Sequence, residues 1–140
     1  MNRWYDTHRG VVHAWMCDHF GHMNARFYAH VFDDASFAMW SMAGVSRDVF
    51  ARVGLHTVVA RTETDLRAEL LAGQLLAVRS RFVEIGSKSV TYEQELRDPE
   101  TGVIHAVQRG VEVFFSPATR ESARVPDEVR TILGADGTGA

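Results

Sequence analysis

The stretch Ala25–Ala43 constrains this chain more than any other, because it reads as a helix with too many apolar sides to stand in water. Tyr28, Val31, Phe32, Ala35, Met39 and Met42 recur at helical spacing and define one face. Phe27, Ala29, Phe37, Ala38 and Trp40 lie outside that stripe, and the ionisable residues are Arg26, His30, Asp33 and Asp34. A helix apolar on so many sides is surrounded by protein. Asn24 supplies an N-cap, its side chain accepting from a free backbone N–H, and Gly44 supplies a stop. The spacing therefore predicts a rod about 28 Å long that the rest of the chain must wrap.

The wrapper is legible as strands. Residues 10–17 are apolar and β-branched enough for a strand leading into the rod. A short helix is expected over 46–53, capped by Ser46 and stopped by Gly54. Strands are then expected over 55–62 and 65–70, the second alternating Leu66, Ala68 and Leu70 against Asp65, Arg67 and Glu69. After a turn at Ala72-Gly73-Gln74, the residues Leu76, Val78, Ser80 and Phe82 form an inward set. Val90, Tyr92, Gln94 and Leu96 form another, and Asp98-Pro99-Glu100-Thr101-Gly102 signals a hairpin turn. A last strand covers 103–115, and Pro126 opens a short helix to Leu133. The class is α+β, an antiparallel sheet curled around one long central helix, as a single domain over 1–134 with a flexible tail over 135–140.

Composition removes several functions. The net charge is −3, with no basic excess for nucleic acid. No apolar run reaches the roughly 20 residues that span a bilayer. Residues 1–6 meet an acid before any apolar stretch, so no signal peptide is read there. The single cysteine, Cys17, suits a reducing cytoplasm. A cytoplasmic protein with no nucleic-acid or membrane partner is the expectation.

The densest chemistry lies just before the rod, in Trp15-Met16-Cys17-Asp18-His19-Phe20-Gly21-His22-Met23-Asn24. Ester cleavage needs a nucleophile or base at the carbonyl carbon and N–H donors facing the developing oxyanion. The first turn of a helix has unpaired N–H groups at the positive end of its dipole, here the amides of Ala25 and its neighbours. Asp18 is the candidate that attacks the carbonyl or positions a water to do so. Gly21 permits the tight loop that brings it there. The plainer reading is that Asp-Xaa-Xaa-Gly is a common turn and that an acid before a helix complements its dipole.

Other candidates have plain alternatives too. His19 and His22, with His8 and His13 upstream, lack the paired spacing of a structural zinc site, so no metal is expected. His22 is read as orienting the loop and His19 as tuning the protonation of Asp18. Glu69 is a second candidate carboxylate, against a solvated strand face. Lys88, in Gly86-Ser87-Lys88-Ser89, can hold a phosphate with Arg79 and Arg81, or simply be solvated. Trp15, Trp40 and the phenylalanines of the rod are read as an acyl pocket or as core.

Asp-Xaa-Xaa-Gly-His-Met-Asn, followed by Tyr28 and a Phe-Asp-Asp-Ala helix, resembles the 4-hydroxybenzoyl-CoA thioesterase-like group of hotdog-fold proteins. The likeness extends through the turn at 86–89, the Asp-Pro-Xaa-Thr-Gly hairpin and the Pro126 segment. It implies a hotdog fold, homodimers or homotetramers, and acyl-CoA sites at the subunit interface. By position, Asp18 matches the family's nucleophile or general base, Gly21 its loop glycine, and the Ala25 N–H its oxyanion donor. His22 and Asn24 belong to the same catalytic motif. Ser87, Lys88 and Ser89 fall where several members contact the CoA nucleotide, often from the neighbouring subunit. Trp15, Tyr28 and Glu69 complete the expected substrate-binding set. Two departures stand out: Met16 where many relatives carry an aspartate, and Ala25 where a second asparagine is common. His-Met-Asn beside Trp15 is also similar to members that cleave a cationic acyl group, for which Trp15 and Trp40 would supply cation–π contacts.

The resemblance implies an acyl-CoA thioesterase that needs no cofactor. The alternatives are a hotdog dehydratase, which places its Asp and His in a longer motif, and an acyl-CoA-binding or regulatory module without turnover. Fold alone does not choose among them.

Overall fold

A computed structural model describes residues 1–136. In chain order the elements are β1 (Tyr5–Val11), α1 (Ala25–Ala43), α2 (Arg47–Val53), β2 (His56–Leu66), β3 (Leu75–Ile85), β4 (Ser89–Arg97), β5 (Ile104–Ser116), β6 (Glu121–Ser122) and α3 (Asp127–Asp136). Every strand pairing is antiparallel. The sheet order is β1-β3-β4-β5-β2, with the two-residue β6 added on β5. Helix α1 packs against β1 and β3, so the architecture is the expected sheet around one long helix. No helix among the described residues is long and apolar enough to cross a membrane.

Both ends of α1 are where the capping residues place them. The Asn24 side chain accepts from the Arg26 N–H, and Gly44 closes the helix in the left-handed region at φ 104°. Likewise Ser46 accepts from the Val49 N–H to start α2, and Gly54 ends it.

The expected face needs correcting. Trp40 and Ser36 are buried, whereas Met42 is 49% exposed. The buried row steps along Tyr28, Phe32, Ser36 and Trp40, a slanted i, i+4 line, because a twisted sheet crosses the helix obliquely and rotates Met42 outward. Nor is the rod wrapped on all sides within one chain. Phe37 is 74% exposed, and Ala29 is also exposed.

Two strand expectations also change. The first strand is Tyr5–Val11 rather than 10–17; past it the chain turns through a short 3-10 helix at Ala14–Met16. Strand β1 lies at the sheet edge and its sequence is mostly polar, so it lacks the apolar signal that drew attention to residues 10–17. The two strands expected over 55–62 and 65–70 are one, His56–Leu66. It ends there because the Arg67 and Ala68 amides both turn to the His105 carbonyl. The inward sets of β3 and β4 are as expected. At the C-terminus α3 runs to Asp136, and of the expected tail 137–140 lie outside the described residues.

A polar crosspiece runs across all five main strands under α1. The Thr64 hydroxyl donates to Gln108 Oε1 (2.7 Å), and Gln108 Nε2 donates to Gln94 Oε1 (3.0 Å). Gln94 Nε2 reaches the Phe32 carbonyl (3.0 Å), Ser80 Oγ (3.2 Å) and Ser36 Oγ (3.3 Å). Ser80 and Thr7 hydroxyls meet at 2.8 Å. On one side lies an apolar cluster around Trp40, Phe82 and Phe114; on the other, one around Phe32, Leu76 and Leu96. Gln94 is only 1% exposed, so its partners have no water to replace it. Replacing Gln94 with Leu strands those groups and should cost about 2 kcal/mol or more, read as a lower urea midpoint at unchanged m-value.

Candidate active site

The loop before α1 is held like a small hairpin. Cys17 bridges Met23, the Asp18 N–H donates to the His22 carbonyl (3.1 Å), and the Gly21 N–H donates to the Asp18 carbonyl (3.0 Å). Gly21 sits at φ 90°, a region side chains disfavour, so the turn depends on glycine. The loop is anchored at its base, where the Met23 N–H reaches the Leu70 carbonyl (2.7 Å) and the Asn24 N–H reaches the Met16 carbonyl (2.8 Å).

Within this frame each oxygen of Asp18 has a donor. Oδ1 accepts from the Phe20 N–H (3.0 Å) and Oδ2 from Asn24 Nδ2 (3.1 Å). These two bonds, the Asn24 one foremost, hold the Asp18 carboxyl below its usual value, and His19 and His22 act in the same direction. Asn24 therefore works with both ends of its amide, capping α1 with the oxygen and holding Asp18 with the nitrogen. An Asp cap, which only accepts, could not do both.

The helix amides are now accounted for. The Arg26 N–H is taken by Asn24 Oδ1 (3.2 Å) and the Phe27 N–H by the Asn24 carbonyl (2.9 Å). The Ala25 N–H has no partner among the described residues, and Ala25 is exposed. An ionised carboxylate and a free helix-end donor thus share one loop.

His22 Nε2 lies 3.2 Å from Glu69 Oε2, tying the loop to the segment after β2. Glu69 is largely exposed at that pair. Tyr28 is buried in the first turns of α1; burial raises its pKa, and the Glu69 charge adds to the effect. Trp15 is 62% exposed, stacked on His13 and edge-on to Phe27, beside the helix start. So Asp18, Gly21, His22, Asn24, Ala25, Tyr28, Glu69 and Trp15 gather around one helix end. Trp40 does not join them: it sits in the opposite core cluster against Phe82, Phe50 and Phe114, so Trp15 and Trp40 cannot form one cation-binding pair.

The 86–89 turn lies elsewhere. Lys88 Nζ reaches Ser122 Oγ (3.3 Å), the Ser87 carbonyl accepts from Val125 and Arg130, and Ser89 closes on Gly86. Arg79 and Arg81, expected to assist Lys88, are paired with Glu95 and Glu93 and stack on Trp4. Among the described residues no group of three or more His, Cys, Asp or Glu is placed to hold a metal.

One feature escaped the sequence reading. An open groove follows α1 beside β2, from Arg26, Ala29 and His30 to Asp33 and Ser36. It continues into an apolar cavity of about 410 Å³ between α1, α2 and β2, where Glu112 forms part of the wall. The available signal was an acid at an inward position of β5, between Gly110 and Phe114.

The model of the thioesterase-like superfamily matches residues 11–133. The chain belongs to that superfamily. Its hotdog fold, with the 4-hydroxybenzoyl-CoA thioesterase-like relationship expected from the loop motif, is shown by the match and by solved structures. A hypothetical protein from Staphylococcus aureus in complex with CoA is similar at a TM-score of 0.84 and 18% identity, over 94% of this chain and 82% of that one. YbaW, a probable thioesterase from Escherichia coli, is similar at 0.81 and 18%, over 92% and 96%. A 1,4-dihydroxy-2-naphthoyl-CoA thioesterase from Synechocystis is similar at 0.78 and 17%, over 91% and 94%. A search of the curated proteins finds no match to the sequence.

The Asn24–Asp18 bond has a measurable sign. The depressed Asp18 carboxyl favours the fold above the ordinary carboxylate range, and that contribution is lost as pH falls through its folded value. Carboxyl-carbon NMR should show Asp18 titrating below free aspartate in the wild type and at higher pH in Asn24→Ala. That variant should also lose about 1 kcal/mol through the missing cap.

Proposed function

We propose that the protein is an acyl-CoA thioesterase with Asp18 as nucleophile or general base. One observation carries the reading: an ionised carboxylate, fixed by Asn24 at 3.1 Å, stands at a helix mouth whose Ala25 N–H is free. Asp18 attacks the thioester carbon, or takes a proton from the water that does. The carbonyl oxygen becomes an oxyanion and is met by the Ala25 N–H and the positive end of the α1 dipole. As the tetrahedral intermediate collapses, the C–S bond breaks and CoA leaves as thiolate. Thiols ionise near pH 8.5, so this leaving group needs no strong general acid. Attack by Asp18 itself would leave an anhydride, which water then hydrolyses to the free acid.

The working unit in this reading is a homodimer joined through β2. That strand is a sheet edge of eleven residues, nearly all exposed, with Val58, Val59 and Leu66 among them. Such an edge is a template for a second strand. The reaction loop stands at its C-terminal end, where Leu70 anchors Met23 and Glu69 meets His22. The apolar cavity stands at its N-terminal end, lined by His56, Thr57 and Val59. Antiparallel pairing of β2 with its copy sets the loop of one subunit beside the cavity of the other. Each site then draws on two subunits, and the Ser87-Lys88-Ser89 turn of a neighbouring subunit is the proposed contact for the CoA nucleotide.

Thiol release from a panel of acyl-CoAs tests the chemistry. Turnover should fall by a factor of about a thousand or more in Asp18→Ala, which should keep its circular-dichroism spectrum and dimeric mass. Retained turnover would move the chemistry off Asp18. Complementation tests the shared site, using Asp18→Ala and Ser41→Trp, the latter filling the cavity from an exposed position. Mixing the two inactive variants through unfolding and refolding should regain turnover, because a mixed dimer holds one intact site. No gain would place the whole site within one subunit.

A further inference from the structure

Every carbonyl of the 86–89 turn, which joins β3 to β4, is engaged. The Gly86 carbonyl accepts from Arg130 Nη2 (2.6 Å), and the Ser87 carbonyl from the same nitrogen (3.1 Å) and from the Val125 N–H (2.9 Å). The Lys88 carbonyl takes the Phe114 N–H (2.9 Å), and the Ser89 carbonyl takes the Gly86 N–H (2.7 Å). The turn closes this tightly because residue 86 is glycine: a Cβ there would stand 2.8 Å from Ser89 Oγ. In a planar trans peptide the C=O and the following N–H point in opposite directions. Pinning the Gly86 and Ser87 carbonyls inward therefore turns the Ser87 and Lys88 N–H groups outward. Both residues are exposed, and neither N–H has a partner among the described residues.

Arg130 reaches this turn from a distant part of the chain. It stands on α3, whose Val129 and Leu133 are buried in the core, so it approaches from a fixed element. Its Nε is buried without a hydrogen-bond partner among the described residues, a cost that an apolar side chain would avoid. Packing alone does not account for an arginine there. Nor does an ion pair, because the acids in the first turn of α3, Asp127 and Glu128, are engaged by Arg124 and Arg52. The guanidinium thus leaves its positive charge beneath the turn. Lys88 adds a second, its Nζ meeting the Ser122 hydroxyl (3.3 Å) rather than a carboxylate. Successive free amides beside cations of this kind suit an anion.

We propose that Arg130 is a positioning residue for CoA: it holds the Gly86 and Ser87 carbonyls inward, so that the Ser87 and Lys88 N–H groups stand open to the phosphates of the nucleotide. The proposal rests on the acyl-CoA reading above, which sets this turn against the nucleotide. Arg130 itself touches no substrate atom. Without it the Gly86 carbonyl has no donor among the described residues, and that peptide can rotate to present oxygen where the phosphate is received. An arginine that merely pinned α3 to the sheet would, once removed, impair every thioester alike. One that shapes a phosphate contact separates substrates that carry the nucleotide from those that lack it.

Thiol release from one acyl group carried on CoA and on pantetheine, which lacks the nucleotide, provides the test. In Arg130→Met the KM for acyl-CoA should rise about ten-fold with kcat unchanged, while kcat/KM for acyl-pantetheine stays at the wild-type value. Arg130→Lys keeps a donor and the charge, and should regain most of the loss. An equal fall on both thioesters, or no rise in KM for acyl-CoA, would overturn the proposal. A second measurement needs no substitution at Arg130. In the wild type the Ser87 and Lys88 amide resonances should shift on titration with CoA and stay in place with pantetheine. Amides that ignore CoA overturn the proposal even if Arg130→Met does not fold. The two readings fail separately: shifting amides without turnover of either thioester would sink only the thioesterase reading, and turnover with unmoved amides only this one. In the former case calorimetric binding of CoA, about ten-fold weaker in Arg130→Met, takes the place of KM.

Discussion

Much of this fold depends on a single amide. The Gln94 side chain donates to the Phe32 carbonyl and to hydroxyls on α1 and β3, and accepts from Gln108 on β5. Apolar packing alone would let a smooth helix slide or roll in a concave sheet, because dispersion contacts are non-directional. Hydrogen bonds in a dry interior have a direction and a high cost of being broken. The crosspiece thereby fixes where α1 lies along the strands, and with it where the mouth of the helix stands.

In the proposed reaction that mouth carries the chemistry through a second amide of the same kind. Asn24 belongs at once to the helix, through its oxygen, and to the reaction loop, through its nitrogen. The carboxylate position is thus coupled to the helix end rather than left to a mobile loop. Holding Asp18 ionised and leaving the Ala25 N–H unengaged both follow from where one side chain directs its two ends. Preorganisation of this sort lets a small domain stabilise a transition state without reorganising at the moment of reaction.

A lone chain leaves several large apolar side chains bare on one flank. Phe37 on α1 and Val58, Val59 and Leu66 on β2 face outward along the flank of the groove. The surplus apolar sides of the helix, which first suggested complete wrapping, lie where the proposed dimer would place another subunit. Within one chain the sheet covers one side of the rod only.

The sequence by itself determined the bounds of α1 and α2, the inward sets of β3 and β4, and the tight polar turn before α1. These depend on neighbours a few positions away: a cap, a stop, an alternation, a turn. It did not determine where β1 and β2 begin and end, because edge strands carry mixed polarity and are defined by their partners. Nor could it show that Trp40 turns inward while Met42 turns out, since that depends on the angle at which a twisted sheet crosses the helix. Asn24 was legible as a cap but not as the donor to Asp18, and Glu112 was legible only as one more acid in a strand. Tertiary structure decided both, because a hydrogen bond across a loop and a carboxylate in a cavity wall exist only once distant residues are brought together.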